Sequence, residues 1–151
     1  MILRRARRED VPAIVGLLQD DFLGATRESP KGAALPDSYY AAFDAIERDP
    51  NVELVVAEAE GRVVGTFQMT ILTHMSFRGS RSAQLENVHV AADRRGRGAG
   101  REMMEWAIAR ARQKSCARVQ LTTNKARKDA HRFYERLGFR ATHEGMKLAL
   151  T

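Results

Sequence analysis

The chain has 151 residues, 44% hydrophobic and 29% charged, which indicates a folded globular domain and excludes a largely disordered chain. Its single cysteine, Cys116, excludes an internal disulfide and a cysteine-based zinc site, and predicts a reducing, cytoplasmic setting. The net charge of +6 predicts attraction to anions, which nucleic acids and phosphate-bearing small molecules both provide. No secretory signal or apolar run of membrane-spanning length is found, so we expect a soluble protein outside the membrane.

The first third of the chain predicts one short strand and two helices. Residues 2 to 6 can form the strand, and Asp10 can cap a helix whose apolar positions continue to Leu18. Glycines and prolines between 24 and 36 predict a loop. A second helix is then expected, capped by Asp37 or Ser38 and continuing to about Arg48.

The middle third predicts a hairpin and a further strand. β-Branched residues are frequent in Val52 to Ala59 and in Arg62 to Leu72, with a turn between the two segments at Glu60-Gly61. Polar and apolar residues then alternate from Ala83 to Val90. This alternation would place Leu85, Asn87 and His89 on one face, and Glu86, Val88 and Val90 on the other.

The last third predicts a helix, a strand, another helix and closing strands. Gly138 is expected to end the last helix as the residue directly after it. The segments are a helix from about Gly98 to Lys114, a strand over Ala117–Thr122, a helix over Ala126–Leu137, and one or two strands within 139–150. Met103 and Met104 are expected in the core, with Arg101, Arg110 and Arg112 outward. The element order predicts an α/β (α+β) fold, a mixed sheet with helices on its faces, in one domain over 1–151.

A glycine-rich turn over Arg94–Gly100 carries the clearest chemical signal. A strand leads into the turn and a helix leads out of it. Glycine permits positive φ and a close approach of a ligand, and the first N–H groups of a helix have no partner within the helix. Such a helix start binds phosphate, and the arginines in the turn add positive charge around it.

Two well-known phosphate loops fit this turn poorly. A P-loop requires Lys-Ser/Thr after its second glycine, and that pair is missing here. A dinucleotide loop that used Gly96 and Gly98 would need a third glycine where the chain has Arg101. It would also need an acidic residue about 20 positions further on, and the strand there has none.

The turn instead resembles the pyrophosphate loop of the GCN5-related N-acetyltransferase (GNAT) superfamily, Arg/Gln-x-x-Gly-x-Gly/Ala, here read as Arg95-Gly96-Arg97-Gly98-Ala99-Gly100. A second motif of that superfamily follows in the expected order, since the chain has Asn124 and then Ala130-x-x-Phe133-Tyr134-x-x-x-Gly138-Phe139. Together with the N-terminal Arg-Arg-Ala-x-x-x-Asp-Val pattern, the resemblance spans nearly the whole chain. It implies a mostly antiparallel sheet with one splayed parallel strand pair.

The resemblance also implies acetyl-CoA as co-substrate. In the family's arrangement the main chain of Val88, His89 and Val90 pairs with the pantetheine arm like an added strand. Asn124 would bond the same arm, and Tyr134 would lie near the coenzyme sulfur. The remaining residues expected to contact the coenzyme are Arg95, Gly96, Arg97, Gly98, Ala99, Gly100 and Arg101.

Amine acylation requires a base for the amine, a donor for the carbonyl oxygen and an acid for the leaving thiolate. By resemblance Tyr134 is the acid and Glu86 the base, while the Val88 N–H would polarise the carbonyl. Tyr39, Tyr40 and His74 lie in segments that line the acceptor pocket of relatives. We predict no metal site.

Three alternatives for the function stay open from the sequence. The acceptor can be a small-molecule amine, which we favour, or a lysine or N-terminal amine of a protein. A basic nucleic-acid-binding module is the alternative from another class, although no recognition helix or aromatic stacking motif supports it. Relatives often pair, so a homodimer is also open.

Overall fold

The computed structural model describes residues 1–151 and contains five strands, five α-helices and three short 3-10 helices. The strands are β1 (Ile2–Arg5), β2 (Val52–Ala59), β3 (Arg62–Thr73), β4 (Arg81–Val90) and β5 (Cys116–Leu121). The helices are α1 (Val11–Gln19), α2 (Asp37–Arg48), the four-residue α3 (Ser76–Gly79), α4 (Ala99–Gln113) and α5 (Lys128–Arg136). Two compact units, 1–120 and 121–151, are described in turn. The single-domain organisation stays a prediction.

The sheet of the first unit has the strand order β1-β2-β3-β4-β5. The pairs β1-β2, β2-β3 and β3-β4 are antiparallel, as the pairing of Val55 with Phe67 and of Met69 with Leu85 illustrates. Side-chain hydrogen bonds advance in the same direction along β4 and β5, from Arg118 with Ser80 to Gln120 with Gln84. The last pair is therefore parallel, and the predicted mixed, mostly antiparallel sheet is confirmed.

Helices α1 and α2 cover one face of this sheet. The spacing of apolar residues in α1 places Val11, Ile14 and Val15 on one side of the helix, where they pack with Phe43 of α2 and Val56 of β2. These five side chains are at most 8% exposed. The burial fixes the two helices against β2 and β3.

Helix α4 covers the other face. Met103 and Met104 are fully buried, as predicted, and the ring of Trp106 meets that of Phe67 edge to face at 6.0 Å. A side chain at Gly65 would place its Cβ 2.6 Å from the sulfur of Met103. The glycine in β3 therefore lets the first turns of α4 lie close to the sheet.

An ion pair also holds α4 to the sheet. Glu53 of β2 has only 5% of its side chain exposed, and Arg110 binds both of its carboxylate oxygens at 2.5 to 3.1 Å. Lys114 lies 3.7 Å from the same carboxylate. The prediction that Arg110 points outward was wrong, because its long side chain reaches back to a buried partner.

We expect Arg110→Met to destabilise the protein by about 3 kcal/mol at pH 7, because it removes the hydrogen-bonded partner of the buried Glu53 carboxylate and leaves only the weaker charges of Lys114 and Arg5 nearby. The hydrogen bonds from Arg110 lower the pKa of Glu53. A lowered pKa stabilises the fold above the unfolded pKa of about 4, and this stabilisation is lost as the pH falls through the folded pKa. The stability gap between wild type and variant should therefore narrow below about pH 4, measured by urea unfolding at several pH values.

Arg112→Met is the matched control for this experiment, since Arg112 lies on the same helix and is exposed. It should change stability by less than about 0.5 kcal/mol at any pH. A gap for Arg110→Met that does not change with pH would instead assign the loss to packing of the arginine stem.

A second ion-pair network ties the N-terminal strand to α1. Arg4 binds Asp10 through two hydrogen bonds, at 2.7 and 3.0 Å, and also bonds Glu58 at 2.9 Å. Asp10 in addition accepts the N–H of Arg7 at 2.7 Å. Asp10 is the residue before α1, but its carboxylate faces back along the chain and does not cap the helix. The network lowers the pKa of Asp10, chiefly through its hydrogen bonds with Arg4.

The second unit contains α5 and the C-terminal segment. The helix ends as predicted at Gly138, which has φ +98°. The N–H of Gly138 bonds Glu135 and the N–H of Phe139 bonds Tyr134, which is the Schellman arrangement. The rings of Tyr134 and Phe139 also meet, at 5.7 Å, and add the apolar contact typical of this motif.

The closing strands predicted within 139–150 were wrong, because no regular element follows α5. A strand requires a ladder of bonds to a neighbouring strand, whereas the backbone bonds of this segment are local, such as that from Thr142 to Arg140. Met146, Leu148 and Leu150 alternate along it and are 85 to 95% exposed. No helix in the structure is long and apolar enough to span a membrane.

Candidate active site

The predicted glycine turn connects β4 to α4 through two residues with left-handed backbone. Gly96 has φ +73°, and Gly98, the residue before the helix, has φ +88°. Residues with a Cβ rarely adopt these angles, so glycine is required here by conformation. A Cβ built at either position would meet no atom within 4 Å. The outer side of the turn is therefore open to a ligand.

The first turn of α4 provides the donors of an anion site. The first helical hydrogen bond runs from the Glu102 N–H to the Gly98 carbonyl at 3.0 Å, so the N–H groups of Ala99, Gly100 and Arg101 have no carbonyl to bond within the helix. The positive end of the helix dipole lies at the same place. The turn thus fits the pyrophosphate group that the sequence predicts there.

The arginines around the turn differ in how much charge they leave for a ligand. Arg94 bonds Glu60 and Arg101 bonds Glu105, each at 2.8 Å. Arg95 donates to the Val90 carbonyl at 3.0 Å and keeps its charge unpaired. Arg97 forms no ion pair. Arg95 and Arg97 are therefore the cations available to an anionic ligand.

A β-bulge interrupts β4 just before the glycine turn. Thr66 of β3 pairs with His89, and Gln68 pairs with Glu86, so Phe67 faces two residues, Asn87 and Val88. Asn87 has φ +53°, the left-handed conformation that the first residue of a G1-type bulge adopts. The bulge leaves backbone groups outside the regular ladder between β3 and β4.

The bulge corrects the predicted orientation of the side chains on β4. Strict alternation placed Glu86 with Val88 and Val90, and opposite His89. Paired residues of antiparallel strands share a face, and Thr66 and Gln68 share one, so Glu86 and His89 lie on the same face. Val88 and Val90 lie on the other face, that of α4. The one extra residue inverts the pattern after it.

The expected acceptor residues do not come together. Tyr39 of α2 accepts the Ser29 N–H at 3.1 Å, and Tyr40 lies under the guanidinium of Arg8. His74 follows β3 and bonds Ser82 at 2.8 Å. His74 is six residues after Gln68, the residue that pairs with Glu86. Six residues of strand span about 20 Å, so His74 lies far from Glu86. A role for Tyr39, Tyr40 or His74 in acceptor binding stays a prediction.

In the second unit, Asn124 shapes the loop before α5. Its side-chain oxygen accepts the Ala126 N–H at 2.9 Å and its carbonyl accepts the Arg127 N–H at 2.9 Å. The Nε2 of His131 lies 3.1 Å from the same carbonyl. The amide NH₂ of Asn124 is the group that stays available to a ligand.

Tyr134 lies on α5 between two other rings, those of Phe133 at 5.1 Å and Phe139 at 5.7 Å. Burial raises the pKa of its hydroxyl, against the opposing effect of the Arg127 charge. A phenol with a raised pKa stays protonated at neutral pH and can donate its proton. This protonation state is the one required of an acid.

Comparison with known proteins agrees with these two motifs. The model of the acetyltransferase (GNAT) family matches residues 12–139. The chain belongs to the GNAT family. It is therefore an enzyme that transfers acetyl groups.

Individual relatives match over nearly the full chain. The aminoalkylphosphonate N-acetyltransferase of Salmonella typhimurium is 32% identical over 149 residues, which cover 95% of this chain and 96% of that protein. The crystal structure of a transcriptional regulator from Bacillus halodurans C-125 is 42% identical and superposes with a TM-score of 0.95 over 99% of each chain. Glucosamine-6-phosphate N-acetyltransferase from Arabidopsis thaliana, at 19% identity, has a TM-score of 0.80 over 99% of this chain and 98% of that one, which shows the shared fold.

The sequence alone did not identify two residues beside the candidate site. Asn87 forms the bulge, and Gln68 stands beside Glu86 on the neighbouring strand. Asparagine is enriched in left-handed backbone, so its position within an otherwise regular strand was an available signal for the bulge. Gln68 carried no local signal, because its place depends on the register of β3 with β4.

Proposed function

We propose that this enzyme transfers an acetyl group from acetyl-CoA to a primary amine of a small molecule. The observation that carries the proposal is the open glycine turn at the start of α4, directly after a bulged strand. When bound, acetyl-CoA supplies the acyl group as an activated thioester. The family generally uses this coenzyme, which supports the choice of donor.

In this proposal, the glycine turn holds the pyrophosphate through backbone N–H groups and two unpaired arginines, Arg95 and Arg97. The full set of residues proposed to contact it is Arg95, Gly96, Arg97, Gly98, Ala99, Gly100 and Arg101. The backbone of Val88, His89 and Val90 bonds the coenzyme arm, as does the amide NH₂ of Asn124. None of these contacts requires a side chain to change its protonation.

Two side chains move protons in the proposed reaction. The exposed carboxylate of Glu86 accepts a proton from the ammonium form of the acceptor, directly or through a water molecule. The neutral nitrogen then attacks the thioester carbonyl carbon, and the hydroxyl of Tyr134 donates its proton to the departing sulfur as the C–S bond breaks. The second proton that the nitrogen loses as the amide forms passes to solvent, from which Tyr134 is reprotonated. Its raised pKa supports this role, because the proton is retained until it is needed.

A small-molecule acceptor is supported by the relative from Salmonella typhimurium, whose name states that it acetylates aminoalkylphosphonates. A lysine or N-terminal amine of a protein is the alternative acceptor. The two are separated by a screen that compares aminoalkylphosphonates, simple alkylamines and lysine-containing peptides at equal concentrations. The cytoplasmic location and the homodimer stay predictions.

Calorimetric titration with acetyl-CoA, desulfo-CoA and ATP tests the proposed donor. We expect saturable binding of both CoA compounds and far weaker binding of ATP, because ATP lacks the amide-bearing arm. Thiol release in the presence of amines then tests transfer. A folded protein that binds neither CoA compound would overturn the proposal.

The same samples test nucleic-acid binding. This alternative is suggested by the name of the Bacillus halodurans structure, a transcriptional regulator, and by the net charge of +6. Binding through the arginine cluster would weaken steeply with salt. We expect none, since Arg94 and Arg101 already bond glutamates. Salt-sensitive DNA binding without CoA binding would favour a nucleic-acid-binding module over an acetyltransferase.

A further inference from the structure

A cavity of about 120 Å³ lies between α1, α2 and the face of the sheet that carries Glu86. Its walls are mostly apolar. They include Ile14 and Leu18 of α1, Phe43 and Ile46 of α2, and Leu54 of β2. The glycine turn belongs to another part of the unit and lines none of it.

The polar groups of the cavity divide into two kinds. Thr66 donates its hydroxyl hydrogen to the Val55 carbonyl at 2.9 Å, and the Tyr39 hydroxyl accepts the Ser29 N–H, so both are bonded within the protein. The side-chain amides of Gln68 and Asn87 have no hydrogen-bond partner. Both belong to strands β3 and β4 at the bulge. The cavity therefore has apolar walls and two unpaired amides on its sheet side.

The register of the strands connects this cavity to the predicted base. Gln68 is paired with Glu86, and paired residues on one face have Cβ atoms about 5 Å apart. A molecule that filled the cavity and bonded the two amides would thus hold its next atoms beside the Glu86 carboxylate. This is the place that an acceptor nitrogen must reach.

The volume limits what the cavity can hold. An apolar cavity of about 150 Å³ stays dry and binds benzene, and a water-sized group takes about 30 Å³. By this measure the cavity accommodates about four methylene-sized groups. The apolar walls offer water no hydrogen-bond partner, so an apolar group of that size could fill the space without displacing well-bound water.

We propose that the cavity is the acceptor's apolar subsite, and that the acceptor is a primary amine with an aliphatic group of about four carbons. The inference rests on the proposed function, because it assigns the acceptor of that same reaction. The unpaired amides of Gln68 and Asn87 bond a polar group between the aliphatic part and the nitrogen, or the nitrogen itself. Among the lining residues, no lysine or arginine offers a partner to an anionic acceptor.

A series of linear primary amines from ethylamine to octylamine tests the subsite. We expect kcat/KM to rise about fourfold for each added methylene up to about four or five carbons, and to stop rising once the cavity is full. Ala42 lines the cavity and is exposed, so Ala42→Leu should fill it without disturbing the buried core. It should lower kcat/KM for butylamine at least about tenfold and leave ethylamine within about twofold.

Ala41→Leu is the matched control, because Ala41 is the exposed neighbour on α2 and does not line the cavity. It should leave the whole series unchanged. A flat series, or equal effects of the two variants, would overturn the subsite even if acetyl transfer occurs.

Binding of butylamine without coenzyme, followed by ligand-observed NMR, separates this inference from the proposed function. Binding that is present in wild type and lost in Ala42→Leu, with no thiol release from acetyl-CoA, would keep the subsite and overturn the reaction. Thiol release with no detectable preference for butylamine would keep the reaction and overturn the subsite. Absence of both binding and release would overturn both.

Discussion

Replacement of Gly98 by aspartate should weaken acetyl-CoA binding at least about 100-fold while the protein stays folded. Gly98 is the residue before α4 and its outer side is open. A carboxylate there would take the N–H groups that the pyrophosphate needs and would repel its charge. Aspartate is also a favourable residue at a helix start, so the helix should still form.

Gly98→Asn is the matched control, since asparagine has the same shape as aspartate without the charge. Aspartate and asparagine tolerate left-handed backbone better than most residues, and each substitution should lower the free energy of unfolding by about 1 kcal/mol at φ +88°. The difference between the two variants therefore isolates the effect of charge. Calorimetric titration should show a moderate loss for Gly98→Asn and a much larger one for Gly98→Asp.

Equal losses of affinity in the two variants would assign the effect to steric exclusion by the new side chain. Unchanged affinity in both would remove the glycine turn from the coenzyme site. Thermal unfolding of both variants shows whether a loss of binding reflects a loss of fold.

Much of the fold could be predicted because its signals are local. The bounds of α2 and α4 were predicted to within a residue or two, from proline, glycine and the spacing of apolar side chains. The predicted cap of α2 was wrong, because the helix begins at Asp37 and the residue before it is Pro36. The left-handed Gly98 and Gly138 were also predictable, because glycine adopts this backbone conformation more readily than other residues do, in a tight turn before a helix as well as directly after one. Such features depend on residues that are neighbours in sequence.

The bulge at Asn87 could not be derived from alternation, which assumes a period of two without interruption. One extra residue in β4 moved Glu86 to the face of His89, opposite Val88 and Val90. Pairing with β3 decides whether such a residue is inserted, and pairing is a long-range property. The face of the predicted base was therefore wrong although the strand was correct.

The two ion-pair networks were missed for a similar reason. Glu53 and Arg110 are separated by 57 positions, and nothing near either residue identifies the other. Asp10 precedes a helix and has the residue type of a cap, but Arg4 and the Arg7 N–H bind its carboxylate first. A local rule was overridden by a stronger partner from the neighbouring strand.

Replacement of Tyr134 by phenylalanine should lower kcat about 100-fold with little change in the affinity for acetyl-CoA. The variant removes only the hydroxyl. It keeps the ring contacts with Phe133 and Phe139 and the backbone bonds that end α5 at Gly138. The fold of the second unit should therefore be preserved, and the loss should come from the missing proton donor.

The pH dependence provides a readout that a purely structural role would not change. An acid acts in its protonated form, so the rate of the wild-type enzyme should fall as the pH rises through the pKa of Tyr134. Burial raises that pKa, which places the fall above the ordinary tyrosine value of about 10. The rate of the phenylalanine variant should lack this alkaline decrease. It should keep only the decrease at acidic pH that comes from protonation of the base.

The leaving group offers a second and sharper test of the same role. A thioester whose thiol is more acidic than that of coenzyme A releases a thiolate that hardly needs protonation. The ratio of wild-type to variant rates should shrink with an aryl thioester as donor, because the missing proton then matters less. A ratio that stays near 100 with both donors would mean that Tyr134 contributes by positioning and does not donate the proton.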